Sequence, residues 1–127
     1  MGHGTPALDD GSRAPSNQVY DKLQQLLIDN GHDNYYIGTV EAEPSLDTVV
    51  AALQGKGYTK VILRPLMVVA GDHANNDMAD TEDPESWASV LAAEGYEVTA
   101  VIEGLGQIPA IQDLYVKHVA DAIASLG

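Results

Sequence analysis

Segments with helical periodicity alternate with short apolar segments along the chain, and no other feature limits the possible folds as strongly. The helical segments begin near Asn17, Pro44, Pro84 and Pro109. The strand-like segments cover residues 35–41, 60–67 and 97–102. Strands that alternate with helices in this order form a parallel sheet, because each helix carries the chain back across a face of the sheet. We therefore expect an α/β fold with helices on both faces of the sheet.

The first five residues, Met1-Gly2-His3-Gly4-Thr5, are typical of the glycine-rich turn that follows a strand. The strand that should precede this turn is not in the sequence. We therefore predict a single α/β domain over residues 1–127, built as three layers (α/β/α) around a parallel four-stranded sheet with a truncated first strand. This start also leads us to expect a fragment, or half of something larger.

The composition excludes several classes of function. With no Cys in 127 residues, the chain has no disulfide, zinc–thiolate site or thiol nucleophile. A net charge of −13 argues against nucleic acid, which is bound through clustered Lys and Arg. No apolar stretch reaches the roughly 18 residues that a membrane span needs, and no signal-peptide pattern appears at the start. We expect a cytoplasmic location, although a signal ahead of Met1 would not be seen in this sequence.

Three polar side chains follow the strands of the predicted sheet. His3 lies in the turn after the truncated first strand, Glu41 ends the second, and His73 follows the third within the segment 71–77. Because the carboxyl ends of parallel strands meet at one edge of a sheet, these side chains are expected to share a cleft. Two His and one carboxylate form a common ligand set for divalent first-row metals, and neutral imidazoles also accept protons. The pattern therefore predicts a metal or catalytic site.

Each of these three residues also has a structural interpretation. His3 could be an exposed residue at the N-terminus, and His73 could simply end a loop. Glu41 could be the carboxylate that a helix dipole favours at the start of the helix near Pro44. If His73 is functional, Asp72 is the candidate to orient its imidazole.

The remaining histidines and the acidic run receive no functional prediction. His32 follows a helix-ending glycine, and His118 lies beside the apolar face of the last helix. The acidic residues of segment 77–83 lack the spacing of an EF-hand loop, so a solvated loop is expected there.

Five segments of the chain resemble the sirohydrochlorin cobaltochelatases of the anaerobic cobalamin pathway. In this sequence they are MGHGT at 1–5, GTVE at 38–41, RPLMVVAGDHANNDMA at 64–79, ESW at 85–87 and EGLGQIPAI at 103–111. They occur in the family's order across most of the chain, and the segment around His73 is long and distinctive. The family's members are about twice as long, so the resemblance covers only their C-terminal half.

The resemblance implies a class II, ferrochelatase-like chelatase fold, in which two similar α/β halves enclose a tetrapyrrole cleft. It also implies that His3, Glu41 and His73 are the metal-binding and catalytic residues. The implied reaction inserts a divalent metal, Co²⁺, into sirohydrochlorin. Either the missing N-terminal half or a second copy of the chain would complete the cleft.

Two alternatives to cobalt insertion remain open. The ligand set does not select one metal, so Fe²⁺ or Ni²⁺ insertion is equally compatible with it. The second alternative belongs to another class of function: a non-catalytic half domain that binds a metal or a tetrapyrrole. The implied substrate is a polycarboxylate, whereas the chain is acidic, so cationic donors such as Arg13 and Arg64 are candidates to offset the repulsion.

Overall fold

The computed structural model describes residues 1–126, with only the backbone of Leu126. Four α-helices and two β-strands form its framework: α1 (Gln18–Asp29), α2 (Leu46–Leu53), β1 (Lys60–Leu63), α3 (Trp87–Ala93), β2 (Glu97–Ala100) and α4 (Pro109–Leu126). A π-helix (His73–Met78) lies between β1 and α3. The order confirms the predicted alternation of helices and strands from α2 onward, whereas no regular strand lies between α1 and α2. Gly127, the last residue of the predicted domain, lies outside the described residues.

The predicted four-stranded sheet is confirmed only in part. β1 and β2 are parallel, in a register that pairs Lys60 with Glu97 and Leu63 with Ala100. The predicted strand at 35–41 makes only an isolated parallel bridge, between Thr39 and Gly2. Only residues 1–3 lie alongside this segment, and three residues are too few for a regular ladder.

Residues 1–3 nevertheless occupy the position of a strand between segment 38–40 and the end of β1. On one side, Gly2 donates its N–H to Gly38 O over 2.7 Å, and its carbonyl accepts from Val40 N over 3.0 Å. On the other side, the amino nitrogen of Met1 donates to Arg64 O over 2.7 Å. The N-terminal segment is therefore paired on both sides, as in the interior of a sheet.

Serine side chains cap the two short helices. Ser45 accepts from Thr48 N at the start of α2, and Ser86 accepts from Ser89 N over 3.1 Å at the start of α3. The helix that the sequence places near Pro84 begins three residues later, at Trp87. Asp83 accepts from the backbone N–H of Glu85, over 2.9 Å, within the preceding turn.

The hydrophobic core lies between the sheet, α2, α3 and the π-helix. Its main side chains are Val49, Leu53, Leu63, Met78, Trp87 and Leu91. A side chain at Gly38 would approach both Trp87 and Val49 to 2.7 Å, so only glycine lets this segment pack against the core. The core therefore holds in place the segments that precede Glu41 and follow His73.

The other two helices do not bury the apolar stripes that the sequence predicts for them. No residue of α1 is buried. In α4 the side chains of Leu114, Val119 and Ile123 are 50 %, 60 % and 64 % exposed. Because the paired strands are few, these helices have little apolar surface to pack against. None of the described helices is long and apolar enough to cross a membrane, and the cytoplasmic location stays a prediction.

Candidate metal centre

The three side chains predicted for the site lie together at one edge of the molecule. His3, Glu41 and His73 each offer one ligand atom, and these atoms all lie within 4.8 Å of one another. His3 and Glu41 are exposed, and His73 is half-buried. An ion or a flat ligand could therefore reach the group from solvent.

His3 is oriented by the turn that follows it. Gly4 has a φ of +79°, which a residue with a side chain rarely adopts, and a side chain there would also collide with Thr39. In this conformation the Nδ1 of His3 lies 2.8 Å from the carbonyl oxygen of Gly4. A carbonyl only accepts hydrogen bonds, so Nδ1 carries the proton and Nε2 keeps its lone pair for a metal or a proton.

Glu41 is placed beside His3 by the backbone. Its N–H donates to the carbonyl oxygen of His3 over 2.9 Å, which continues the pairing between residues 1–3 and segment 38–41. The alternative role at the start of α2 is filled by Glu43, whose Oε2 accepts from Ser45 N and from Thr48 Oγ1. These bonds, chiefly the one from Thr48, lower the pKa of Glu43. Glu41 takes no part in this helix cap.

His73 is the first residue of the π-helix and contacts the acid at its other end. Its Nδ1 lies 2.5 Å from Oδ2 of Asp77. The prediction that Asp72 orients His73 is therefore wrong, since the chain folds Asp77 back onto the ring instead. The four-residue spacing of His73 and Asp77 brings the two side chains together because residues 73–78 are helical.

The two imidazoles face each other with equivalent nitrogens free. Their ring centroids are 4.4 Å apart and the planes meet at 84°. A carboxylate accepts the Nδ1 proton of His73, so in the neutral form of each ring Nε2 is the nitrogen left for a metal. Neighbouring ligand atoms around a first-row metal lie about 3 Å apart when metal–ligand bonds are about 2.1 Å. The trio thus suits a metal with open positions, provided that the ligand atoms move closer together when it binds.

A cavity of about 470 Å³ adjoins Glu41 and extends toward Arg13 and Asn17. Arg13, which lines this cavity, donates to Asp21, to the carbonyl oxygen of Asn17 and to the carbonyl oxygen of Glu43. The sequence had suggested Arg13 only as a donor for substrate carboxylates. In the structure its guanidinium instead ties α1 to the loop that carries Glu41.

Comparisons with known proteins agree with this arrangement. Residues 1–124 match the cobalt chelatase (CbiK) family. A sirohydrochlorin cobaltochelatase of Salmonella typhimurium is 44 % identical over 87 residues, which cover 68 % of this chain and 33 % of that protein. Sirohydrochlorin cobaltochelatase CbiKC of Nitratidesulfovibrio vulgaris is 36 % identical over 126 residues, which cover 99 % of this chain and 42 % of that protein.

The chain thus spans between a third and a half of the length of these two bacterial relatives. A sirohydrochlorin cobaltochelatase of Methanococcoides burtonii is 28 % identical over 126 residues, and there the match covers 96 % of the relative. Because the family match extends over almost all of the described residues, including His3, Glu41 and His73, this chain belongs to the cobalt chelatase (CbiK) family.

Proposed function

We propose that the chain inserts a divalent metal, cobalt, into sirohydrochlorin in anaerobic cobalamin biosynthesis. The observation that carries this proposal is the meeting of His3, Glu41 and His73 at one accessible edge, with their ligand atoms within 4.8 Å of one another. The names of the relatives supply the substrate and the metal, and family membership extends both to this chain.

Metal insertion exchanges two pyrrole protons for one cation, so the site has to hold a metal and accept protons. Glu41 and the Nε2 atoms of the two His would replace water on the incoming cation one ligand at a time. Once the metal passes into the ring, the two imidazoles would be the bases that accept the departing protons. Because Nδ1 of each ring is already hydrogen-bonded, metal binding and proton acceptance would both take place at Nε2.

The metal itself is not selected by these ligands. A set of two nitrogens and one oxygen also binds Fe²⁺ and Ni²⁺, and Ni²⁺ generally binds more tightly than Co²⁺. Insertion of iron or nickel is therefore the nearest alternative. Cobalt is preferred here because the family and the relatives carry its name.

The substrate's carboxylates need donors other than the two arginines that the sequence suggested. Arg13 is engaged by Asp21 and by two carbonyl oxygens, and Arg64 lies 3.4 Å from Glu103. Within the described residues, both guanidiniums are thus already paired. The donors are instead expected from backbone N–H groups of the glycine turns or from the partner that completes the cleft.

The three ligands lie where solvent reaches them, so we expect a second α/β half to close a cleft over them. Residues 1–127 would form one such half, and a preceding half or a second copy would supply the other. The two longer bacterial relatives are compatible with a preceding half, and the Methanococcoides burtonii relative, which this chain covers almost completely, is compatible with a second copy. If neither a preceding half nor a second copy completes the cleft, the chain would be a non-catalytic half domain.

Replacement of His73 by Ala tests the proposal. The variant removes one nitrogen ligand and one base, so insertion should fall by at least about 100-fold, within the range that general acid–base groups contribute. The rate is followed from the absorbance change of sirohydrochlorin mixed with Co²⁺ at substoichiometric protein.

The matched control is His118→Ala, which removes an exposed imidazole of α4 outside the cluster. We expect this variant to insert cobalt at the original rate. Retained insertion by the His73 variant would refute the site assignment. A spectral shift that stops at one equivalent of protein, with no turnover, would instead identify a non-catalytic binding domain.

A further inference from the structure

The turn that follows His3 is held by side chains at the start of α1. Gly4 N donates to the hydroxyl of Tyr20 over 3.1 Å. Thr5 N donates to Oδ1 of Asn17 over 2.8 Å, and Thr5 O accepts from Nδ2 of Asn17 over 2.8 Å. Three hydrogen bonds thus anchor the backbone at residues 4–5 to α1.

Asn17 binds Thr5 rather than its own helix. It lies at the N-cap position of α1, where an Asn side chain usually accepts from a backbone N–H two or three residues further on. Among the described residues, its side chain makes no such bond to α1. Asn17 is 1 % exposed, and Thr5 engages both the oxygen and the nitrogen of its carboxamide. Because a buried carboxamide needs a partner for each of these atoms, the two bonds fix the turn relative to α1.

Tyr20 lies behind His3 and contacts the residues on either side of it. A side chain at Gly2 would collide with the Tyr20 ring, so the ring packs directly against the backbone there. The Tyr20 hydroxyl reaches Gly4 N, on the other side of His3. Asn17 and Tyr20 are three positions apart, so helical geometry places them on the same face. Together they hold residues 2–5 as one unit.

Gln24 continues this face of α1 but holds a different segment. Its carboxamide donates to Tyr35 O over 2.7 Å and accepts from Ile37 N over 2.8 Å. Asn17 and Gln24 therefore each bind one backbone N–H and one backbone carbonyl oxygen. Of the two, Asn17 does so within two residues of a proposed metal ligand, and Gln24 does not.

We propose that Asn17, together with Tyr20, is a positioning residue for His3, so that α1 sets how far the His3 imidazole lies from the other two ligands. His3 is exposed, and its ring is oriented by the contact between Nδ1 and the carbonyl oxygen of Gly4. That oxygen keeps its place because the backbone at residues 4–5 is fixed. The inference rests on the proposed function, in which His3 binds the metal.

The metal centre is sensitive to the position of each ligand. The three ligand atoms lie within 4.8 Å of one another, and an ion would draw them closer still. If the turn after His3 moves freely, metal binding has to order it, and this ordering lowers the affinity. Removal of a group that orients a metal ligand typically weakens metal binding by about 10- to 100-fold.

Asn17→Ala tests the proposal on the full chain, with Gln24→Ala as the matched control. Each variant removes one partner of an N–H and one partner of a carbonyl oxygen from the same face of α1. Calorimetry with Co²⁺ should show an affinity at least about tenfold weaker in the Asn17 variant and less than about twofold changed in the Gln24 variant. In ¹⁵N NMR of the His3 imidazole, the tautomer with the proton on Nε2 should increase in the Asn17 variant alone.

The His3→Ala background separates a positioning role from a purely structural one. If Asn17 acts through His3, adding Asn17→Ala to His3→Ala should change the remaining Co²⁺ affinity by less than about twofold. A loss as large as in the original chain would overturn the proposal, because Asn17 would then act on the fold as a whole. Equal weakening by Asn17→Ala and Gln24→Ala would overturn it as well.

Tyr20→Phe provides the test if Asn17→Ala does not fold. This variant removes the acceptor of Gly4 N and keeps the ring that packs against Gly2, so the Co²⁺ affinity should fall by at least about threefold. Unchanged affinity would refute the positioning role. If His3→Ala itself binds Co²⁺ as tightly as the original chain, the proposed metal centre is refuted, and this inference with it.

Discussion

At the scale of single residues, the hydrogen bonds on Nδ1 decide what the two histidines can do. Asp77 holds the Nδ1 proton of His73 over 2.5 Å, and the carbonyl oxygen of Gly4 holds that of His3 over 2.8 Å. Each acceptor fixes one tautomer and one ring orientation. In the neutral tautomers that these acceptors favour, Nε2 is the nitrogen of each ring that is left to bind a metal.

Asp77→Asn should weaken metal binding by about 10- to 100-fold, the usual effect of removing a partner that orients a ligating imidazole. The amide keeps the shape of the side chain but offers an N–H donor, which favours the tautomer with the proton on Nε2. Calorimetry with Co²⁺ measures the affinity, and ¹⁵N NMR of the imidazole reports the tautomer.

Asp72→Asn is the control for this variant, because it removes the same charge one residue before His73 without a hydrogen bond to the ring. We expect its affinity for Co²⁺ to change less than about threefold, as for a rim charge screened by salt. If both variants weaken binding equally and the tautomer is unchanged, Asp77 acts only through its charge.

At the scale of elements, the sequence identified the segments that carry the site but not the geometry that joins them. The sequence predicted that His3, Glu41 and His73 lie close together. Each follows a strand, and the carboxyl ends of parallel strands lie at the same edge of a sheet. The sequence did not predict the π-helix at 73–78, because a single turn of this kind is too short to give a recognisable periodicity. The link made by Arg13 was missed as well, because it joins residues 30 positions apart.

Arg13→Met should loosen the loop that carries Glu41 and raise the pKa of Asp21 toward its ordinary value. The hydrogen bond from Arg13 lowers the pKa of Asp21, so the pair stabilises the fold above the usual carboxyl range and loses this effect as pH falls through the lowered value. In the variant the pKa of Asp21 rises toward its ordinary value, and this acid-dependent loss of stability disappears. NMR titration of the Asp21 side chain measures the shift.

Lys22→Met provides the comparison, as it removes one positive charge from α1 but none of the contacts to residues 17, 21 and 43. We expect the pKa of Asp21 to stay low in this variant. A rise equal to that in the Arg13 variant would mean that net charge, and not the direct contact, controls Asp21.

At the scale of the whole molecule, packing is concentrated on one face of the sheet. The core collects side chains from α2, α3 and the π-helix, whereas α1 has no buried residue and most of α4 is exposed. Helical periodicity predicted an apolar stripe on each helix equally well. It could not predict which of these apolar faces pack against the sheet, because that depends on how many strands the sheet contains.

This asymmetry predicts opposite outcomes for two leucines. Leu91 of α3 is 1 % exposed and Leu114 of α4 is 50 % exposed. Leu91→Ala should lower the free energy of unfolding by about 2 to 5 kcal/mol, because it leaves a cavity among Trp87 and its neighbours. Leu114→Ala should change it by less than about 0.5 kcal/mol, as for other exposed positions. Urea denaturation followed by circular dichroism gives both values.

The measurement also separates the isolated chain from a completed assembly. In the isolated chain Leu114 contacts mainly solvent, so its replacement has little to remove. If a second copy of the chain covers α4, the same replacement removes a buried contact, and its effect on stability grows with protein concentration. A small effect of Leu114→Ala at every concentration would therefore place a second copy elsewhere than on α4.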